Sequence, residues 1–234
     1  MQHLKGRKAL ISGGASGIGR AIAARLIQEE VATALADLHL PGEAPPATKT
    51  FRCDVTSGPD VDTLFAGVQA SIGAPDILVC SAGRGIHEKL TEGDPAKWQQ
   101  AIEVNLLGAL RMIRAFVPGM VAEGQGDVVL ISSVAAGQAY TYDGVYGASK
   151  AALEVIAETL RLEVLPLVRV TVIAPGVTDT PFFEHTISGS HTAAAIGFGA
   201  ISPEVVADAV LYALRQPKGV SVNRITVRPT AQPF

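Results

Sequence analysis

The sequence predicts a single-domain, doubly wound α/β fold: a mostly parallel seven-stranded sheet with helices on both faces. Three observations predict it. Short apolar runs alternate with longer amphipathic stretches along nearly the whole chain. The runs are continuously apolar rather than alternating, as strands covered on both faces require. No composition shift or long linker divides the 234 residues, of which 48% are hydrophobic and 18% charged, so one large core can form. The charged share lies below the roughly 25% typical of soluble domains, which predicts further buried faces such as subunit interfaces.

The elements follow in order. Residues 8–12 read as a buried strand and 18–30 as a helix with Ile18, Ile22 and Leu26 on one face. Residues 31–37 form the second strand and 50–54 the third, separated by a Pro/Gly-rich loop at 41–47. A helix spans 59–71, a strand 76–81, and one long helix 95–121. Residues 127–133 give the fifth strand, 145–165 another long helix and 168–174 the sixth strand. Ser202 followed by Pro203 is a helix start, a hydroxyl cap before proline at the first helical position, and that helix ends near Gln216. Residues 224–227 close the sheet. Residues 177–201 have weak periodicity and many small residues, which predicts a binding loop at the carboxyl edge of the strands, where open α/β sheets take their ligands.

Several function classes are excluded. Nineteen Lys and Arg against 22 Asp and Glu give a net charge of −3, so no basic field recruits nucleic acid or anionic lipid. Cys53 and Cys80 end apolar runs without metal-ligand spacing and read as reduced core thiols. His87, His185 and His191 share no metal spacing and read as solvated loop residues, so no metal is expected. Gly13, Gly14, Gly17 and Gly19 interrupt the first apolar run too soon for a signal peptide, and no membrane span is apparent. A soluble, cytoplasmic protein is expected.

Between the first strand and its helix stands Ser12-Gly13-Gly14-Ala15-Ser16-Gly17-Ile18-Gly19. Its glycines permit a tight turn and close backbone approach to a pyrophosphate facing the helix N-terminus. Asp37 ends the second strand near the spacing of about 20 expected for a carboxylate that accepts from both ribose hydroxyls. That carboxylate repels a 2′-phosphate, and Ser16 and Leu38, the positions best placed to compensate, carry no charge. NAD is therefore favoured over NADP. Asp54, before Val55, either meets the adenine amino group or caps a turn.

Ser133 ends the fifth strand, and Tyr146 and Lys150 open the next helix at i and i+4, about 6 Å apart at their β-carbons. A phenol with pKa near ~10 is a poor acid or base at neutral pH, and an adjacent ammonium draws that pKa down. Tyr-x-x-x-Lys alone is common.

Together these motifs resemble the short-chain dehydrogenases/reductases over nearly the whole chain. Gly13, Gly17 and Gly19 match the family's glycine turn, with Ser12 where threonine is usual. Asp76-Ile77-Leu78-Val79 and Ala82-Gly83 look like its strand-four motif, Asn105 like its asparagine, and Ser133, Tyr146 and Lys150 like its catalytic set. Pro175-Gly176 and Thr180 look like the segment that cups the nicotinamide amide. The resemblance implies a Rossmann fold and hydride transfer between a nicotinamide cofactor and a secondary alcohol or ketone. Tyr146 would exchange the hydroxyl proton and Ser133 hold the substrate oxygen. Lys150 would bind the nicotinamide ribose and lower the tyrosine pKa, while Asn105 supports a proton-relaying water. A homo-oligomer, tetramer or dimer, would form on the helices containing Asn105 and Tyr146. The rival reading is a non-catalytic dinucleotide sensor or binding protein on the same fold.

Two departures stand out. Cys80-Ser81 replaces the family's usual Asn-Asn, and the chain ends in an Arg-Pro-Thr-Ala-Gln tail rather than Asp-Gly-Gly. The tail reads either as a frayed terminus or as a contact on a neighbouring subunit. Gly85, Ile86, Ala135, Gln138, Tyr140, Val177, Phe182 and Phe183 are candidates for the pocket wall. With Arg84 and Lys89 as the only cations in these loops, a small or medium, mostly neutral alcohol or ketone is the expected substrate.

Overall fold

The computed structural model describes residues 2–40, 48–189 and 196–233. The strands are β1 (Lys8–Ser12), β2 (Ala32–Asp37), β3 (Lys49–Arg52), β4 (Ile77–Cys80), β5 (Gly126–Ile131), β6 (Val168–Pro175) and β7 (Arg224–Val227). They form one seven-stranded sheet in the order β3-β2-β1-β4-β5-β6-β7, and every neighbouring pair is parallel. The strand order reverses direction between β1 and β4, the switch point at which such sheets open a ligand crevice.

The helices are α1 (Gly17–Gln28), α2 (Gly58–Ile72), α3 (Pro95–Ile102), α4 (Ala109–Ala122), α5 (Gly144–Val164) and α6 (Pro203–Leu214). Alternate strand residues feed two cores. Leu10, Ala34, Leu78, Val128 and Val170 meet α2, α4 and α5 through Leu64, Phe116 and Leu153. Ala9, Ile11, Val79, Val129 and Ile173 meet α1 and α6 through Ile22, Leu26 and Val210. Because both parities are buried, the strands read as unbroken apolar runs.

The structure differs from expectation at three places. The 95–121 stretch is not one continuous α-helix: a π-helical segment, Glu103–Gly108, separates α3 from α4. The segment spans only six residues, too short for a change of period to register in the apolar pattern of the whole stretch. Pro95–Ala122 is apolar enough over 18 residues to match a membrane span by composition, but Met112, Ile113, Phe116, Val117 and Met120 spend that apolarity on the sheet. Strand β3 ends at Arg52, so Asp54 lies in the following turn. The expected loop at 41–47 and part of the binding loop, 190–195 with His191, lie outside the described residues. In the rest of that loop a short 3-10 turn, Pro181–Phe183, is followed by a bridge between Thr178 and Ile201.

Cys53 and Cys80 are buried free thiols. Burial pushes them up to about 11 and about 12, which keeps both protonated and unreactive near neutral pH. At the amino edge of the sheet, Asp127 receives Arg7 and Arg169 together.

Candidate active site

A cleft of 1090 Å³ runs along the carboxyl edge of the strands. Its walls include Gly13, Ser16, Gly17, Ile18 and Gly19 from the turn after β1, and Asp37 from the end of β2. Asp54, Val55, Ala82 and Gly83 continue the lining towards Ser133, Tyr146 and Lys150, and Pro175, Gly176 and Thr180 close the far side. Residues spread over more than half the chain thus meet because parallel strands all end at one edge.

The glycine turn fits a dinucleotide. Gly13 adopts φ +67, and a β-carbon there would stand 2.7 Å from the Ala82 backbone nitrogen, so only glycine lets the turn pass this close. Ser12 lies beneath the turn rather than on the cleft wall, buried, with its hydroxyl accepting from Ala82 N at 3.5 Å. Asp37 is anchored on both oxygens: Oδ2 accepts from Ala15 N at 3.0 Å and Oδ1 from His39 N at 3.2 Å. One carboxylate therefore ties the end of β2 to the glycine turn. Asp54 does cap a turn, since its Oδ1 accepts from Thr56 N at 2.9 Å and from Thr56 Oγ1 at 2.7 Å, and it also lines the cleft. Thr180 caps the 3-10 turn through Phe182 N at 3.4 Å.

Ser133 serves two purposes. Its hydroxyl accepts from Ala135 N at 3.1 Å as the cap of a short turn, and it lies on the cleft wall with the Tyr146 phenol, whose pKa it lowers. Tyr146 packs on Phe182 with ring centroids 5.7 Å apart. Lys150 Nζ stands 5.9 Å from the centre of the Tyr146 ring and donates to the Ile131 carbonyl at 2.9 Å. Asn105 lies behind this group, buried. Its Nδ2 donates to Arg84 O at 3.0 Å and Ser149 Oγ at 3.0 Å, and its Oδ1 accepts from Arg84 N at 2.8 Å. It clamps both backbone groups of Arg84, directly after Ala82-Gly83.

The electrostatics depart from the expectation that Lys150 lowers the tyrosine pKa. Burial pushes the Tyr146 phenol up to about 12, with Asp143 adding to the rise and the Ser133 hydrogen bond opposing it. Burial likewise pulls the Lys150 ammonium down to about 8. In each group desolvation outweighs the opposing contacts, Ser133 at the phenol and Cys80 at the ammonium. A pH dependence follows for the cofactor-free protein. Between about 8 and the ordinary lysine value the unfolded chain holds a proton that folded Lys150 has released, so this residue makes stability rise with pH. Tyr146 acts oppositely above its ordinary value, because the folded phenol keeps its proton up to about 12. Denaturant unfolding between pH 8 and 10 is expected to show a shallower rise, or a fall, in Lys150→Met compared with the parent.

Of the expected pocket residues, Ala135, Tyr140, Val177, Phe182 and Phe183 line the cleft. Ile86 is instead core, Gly85 is buried against Phe182 and Thr186, and Gln138 faces solvent. His87 is not a solvated loop residue. Its ring contacts the Asp143 carboxylate, with the two side chains only 14% and 18% exposed. Composition and spacing carried no signal for that pairing, nor for Tyr142 and Asp143 on the cleft wall. Among the described residues no group of three His, Cys, Asp or Glu is placed to hold a metal.

The family model for short chain dehydrogenases matches residues 7–190. The chain belongs to this family. An uncharacterized oxidoreductase of Staphylococcus epidermidis is 33% identical over 236 aligned positions, covering 98% of this chain and all of that one. Among solved structures, a serine dehydrogenase complexed with NADP+ superposes with TM-score 0.89 at 27% identity, covering 97% of this chain and 96% of that one. An alcohol dehydrogenase from the archaeon Thermococcus sibiricus, complexed with 5-hydroxy-NADP, gives 0.85 at 27% identity over 97% and 98%. The short-chain dehydrogenase is thus an oxidoreductase whose glycine turn and cleft suit a nicotinamide dinucleotide.

Proposed function

We propose that this short-chain dehydrogenase interconverts a small or medium, mostly neutral secondary alcohol and its ketone with NAD(H), using Tyr146 as general acid and base. The observation that carries this reading is that Ser133 and Tyr146, with Lys150 Nζ 5.9 Å from the Tyr146 ring centre, share one cleft with the glycine turn and Asp37. A bound nicotinamide supplies or accepts the hydride. Ser133 holds the substrate oxygen, and Tyr146 gives that oxygen its proton in reduction and removes it in oxidation. Lys150 holds the nicotinamide ribose. Asn105 fixes the Arg84 segment, and its Oδ1 keeps acceptor capacity for a water that relays protons from Lys150. The exposed Val155 and Leu162, seven positions apart on one face of α5, support a homo-oligomer built on that helix and α4.

Asp37 supports NAD. Its carboxylate lines the adenosine end of the cleft beside uncharged Ser16 and Leu38, where a 2′-phosphate would meet repulsion. Initial rates of NADH and NADPH oxidation, measured against a panel of aldehydes, ketones, diketones and sugars, test the whole reading. Faster turnover with NADPH would overturn the cofactor assignment and keep the reaction class. Asp37→Ala is expected to weaken NADH binding by about tenfold to a hundredfold, the worth of hydrogen bonds to a charged group, and NADPH binding by less. Asp37→Asn keeps an acceptor for Ala15 N and separates loss of the ribose contact from loosening of the turn. Equal losses for the two cofactors in both variants would remove the selectivity argument.

A further inference from the structure

We propose that Gln232, in the C-terminal tail, is a positioning residue of the nicotinamide end of the cleft, holding the Val177 backbone and the Tyr140 hydroxyl in register. The inference rests on the reading that residues 175–180 meet the nicotinamide. Among the described residues the tail folds back onto the body of its own subunit. Gln232 is 5% exposed and stands on the cleft wall. Its Oε1 accepts from Val177 N at 3.1 Å, and its Nε2 donates to Tyr140 Oη at 3.4 Å. Its own backbone N–H closes a turn onto Pro229 O at 3.0 Å, which sets the side chain's direction.

These bonds join two segments that sequence separates widely. Val177 follows β6 directly, within the run Pro175-Gly176-Val177 that lines the cleft. Tyr140 belongs to the loop between Ser133 and α5, which carries Tyr146. The tail runs close above the first segment. Gly176 N donates to Val227 O at 2.7 Å, and a β-carbon on Gly176 would come within 2.5 Å of Arg228 Cβ and closer still to Gln232 Oε1. Glycine at 176 and glutamine at 232 are therefore one fitted arrangement. A buried amide that satisfies a backbone N–H on one wall and a phenol on the other fixes the width of the cleft between them. The side chain's bonds go to the Val177 backbone and the Tyr140 hydroxyl, so its effect passes through the position of these two walls.

Full-length protein carrying Gln232→Met fills the same volume without either hydrogen bond, and Gln232→Ala removes both volume and bonds. Each is titrated with NADH, followed by nicotinamide fluorescence, and with ADP-ribose, which shares the adenosine half and lacks the nicotinamide. Both variants are expected to bind NADH about fivefold or more weakly, for the loss of a buried hydrogen bond, while ADP-ribose affinity stays within about twofold. Intact ADP-ribose binding also reports a folded glycine turn. Unchanged NADH affinity in the variants would overturn the inference, as would equal weakening of both ligands, which would mark a general loss of structure. A defect in the alanine variant alone would assign packing in place of positioning and overturn it too. If the parent binds NADH no more tightly than ADP-ribose, the reading of residues 175–180 falls first, and that result is visible before any variant is compared.

Discussion

Replacing Tyr146 by Phe is expected to lower kcat/KM on the order of 10²–10⁴-fold, the usual contribution of a positioned acid or base, while NADH affinity stays close to that of the parent. The substitution removes one oxygen. The ring keeps its packing on Phe182 at 5.7 Å, and the helix keeps Lys150 in place, so neither the wall nor the cofactor end has reason to move. What disappears is the proton donor that Ser133 orients. In the cofactor-free protein burial raises that phenol to about 12, favouring the protonated form that serves as acid in the reductive direction. Steady-state rates and a parallel NADH titration separate the outcomes. Full activity in the variant would move the acid to another group and sink the mechanism. Lost activity together with lost binding would show a structural effect. A protein that only senses a dinucleotide would bind it equally well in both forms and turn nothing over in either.

The second large effect lies at the opposite edge of the sheet. Asp127→Ala is expected to destabilise the fold by about 3–5 kcal/mol, the cost of stripping the partner from buried charges. Arg7 Nη1 stands 2.7 Å from its carboxylate, and Arg169 Nε and Nη2 stand 2.6 and 3.0 Å from it. Arg169 also donates to Leu214 O and Gln216 O at 3.0 and 2.9 Å, tying the end of α6 to the start of β5 and β6. Without Asp127, Arg169, 17% exposed, loses its carboxylate and keeps only backbone carbonyls, while Arg7 retains Asp76 at 3.1 Å. Thermal melting should fall by roughly 6–20 °C, taking about 2–4 °C for each kcal/mol in a chain of this size. NADH affinity measured well below the transition should be unchanged, because Asp127 begins the strand whose other end carries the site. A melting temperature within a degree or two of the parent would show that the cluster contributes little.

The elements were legible where one local signal sufficed. Continuous apolar runs marked the strands because both faces of a parallel sheet are buried, and helical spacing marked α1 through Ile22 and Leu26. The candidate site was legible for a similar reason: Tyr146 and Lys150 are i and i+4 on one helix, and the glycine turn is contiguous. The π segment at Glu103–Gly108 was not, because six residues are too few for its altered period to stand out from the helix around it. Nor was the pairing of His87 with Asp143, which depends on two loops meeting over the end of the sheet.

The direction of the pKa shifts shows the same boundary in chemical terms. Spacing places an ammonium beside a phenol, which by itself lowers the phenol's pKa. Only the packed structure adds the desolvation that reverses the sign at Tyr146 and lowers Lys150 to about 8. By itself the sequence determined the parallel sheet, the glycine turn with Asp37, and the Ser133, Tyr146 and Lys150 set, because each is carried by periodicity or by short, fixed spacings. Tertiary structure alone decided how far those groups are removed from water and what else reaches them. Gln232 joins Val177 and Tyr140 across long stretches of chain, and contacts of that kind depend on where strands end in space, which no local pattern encodes.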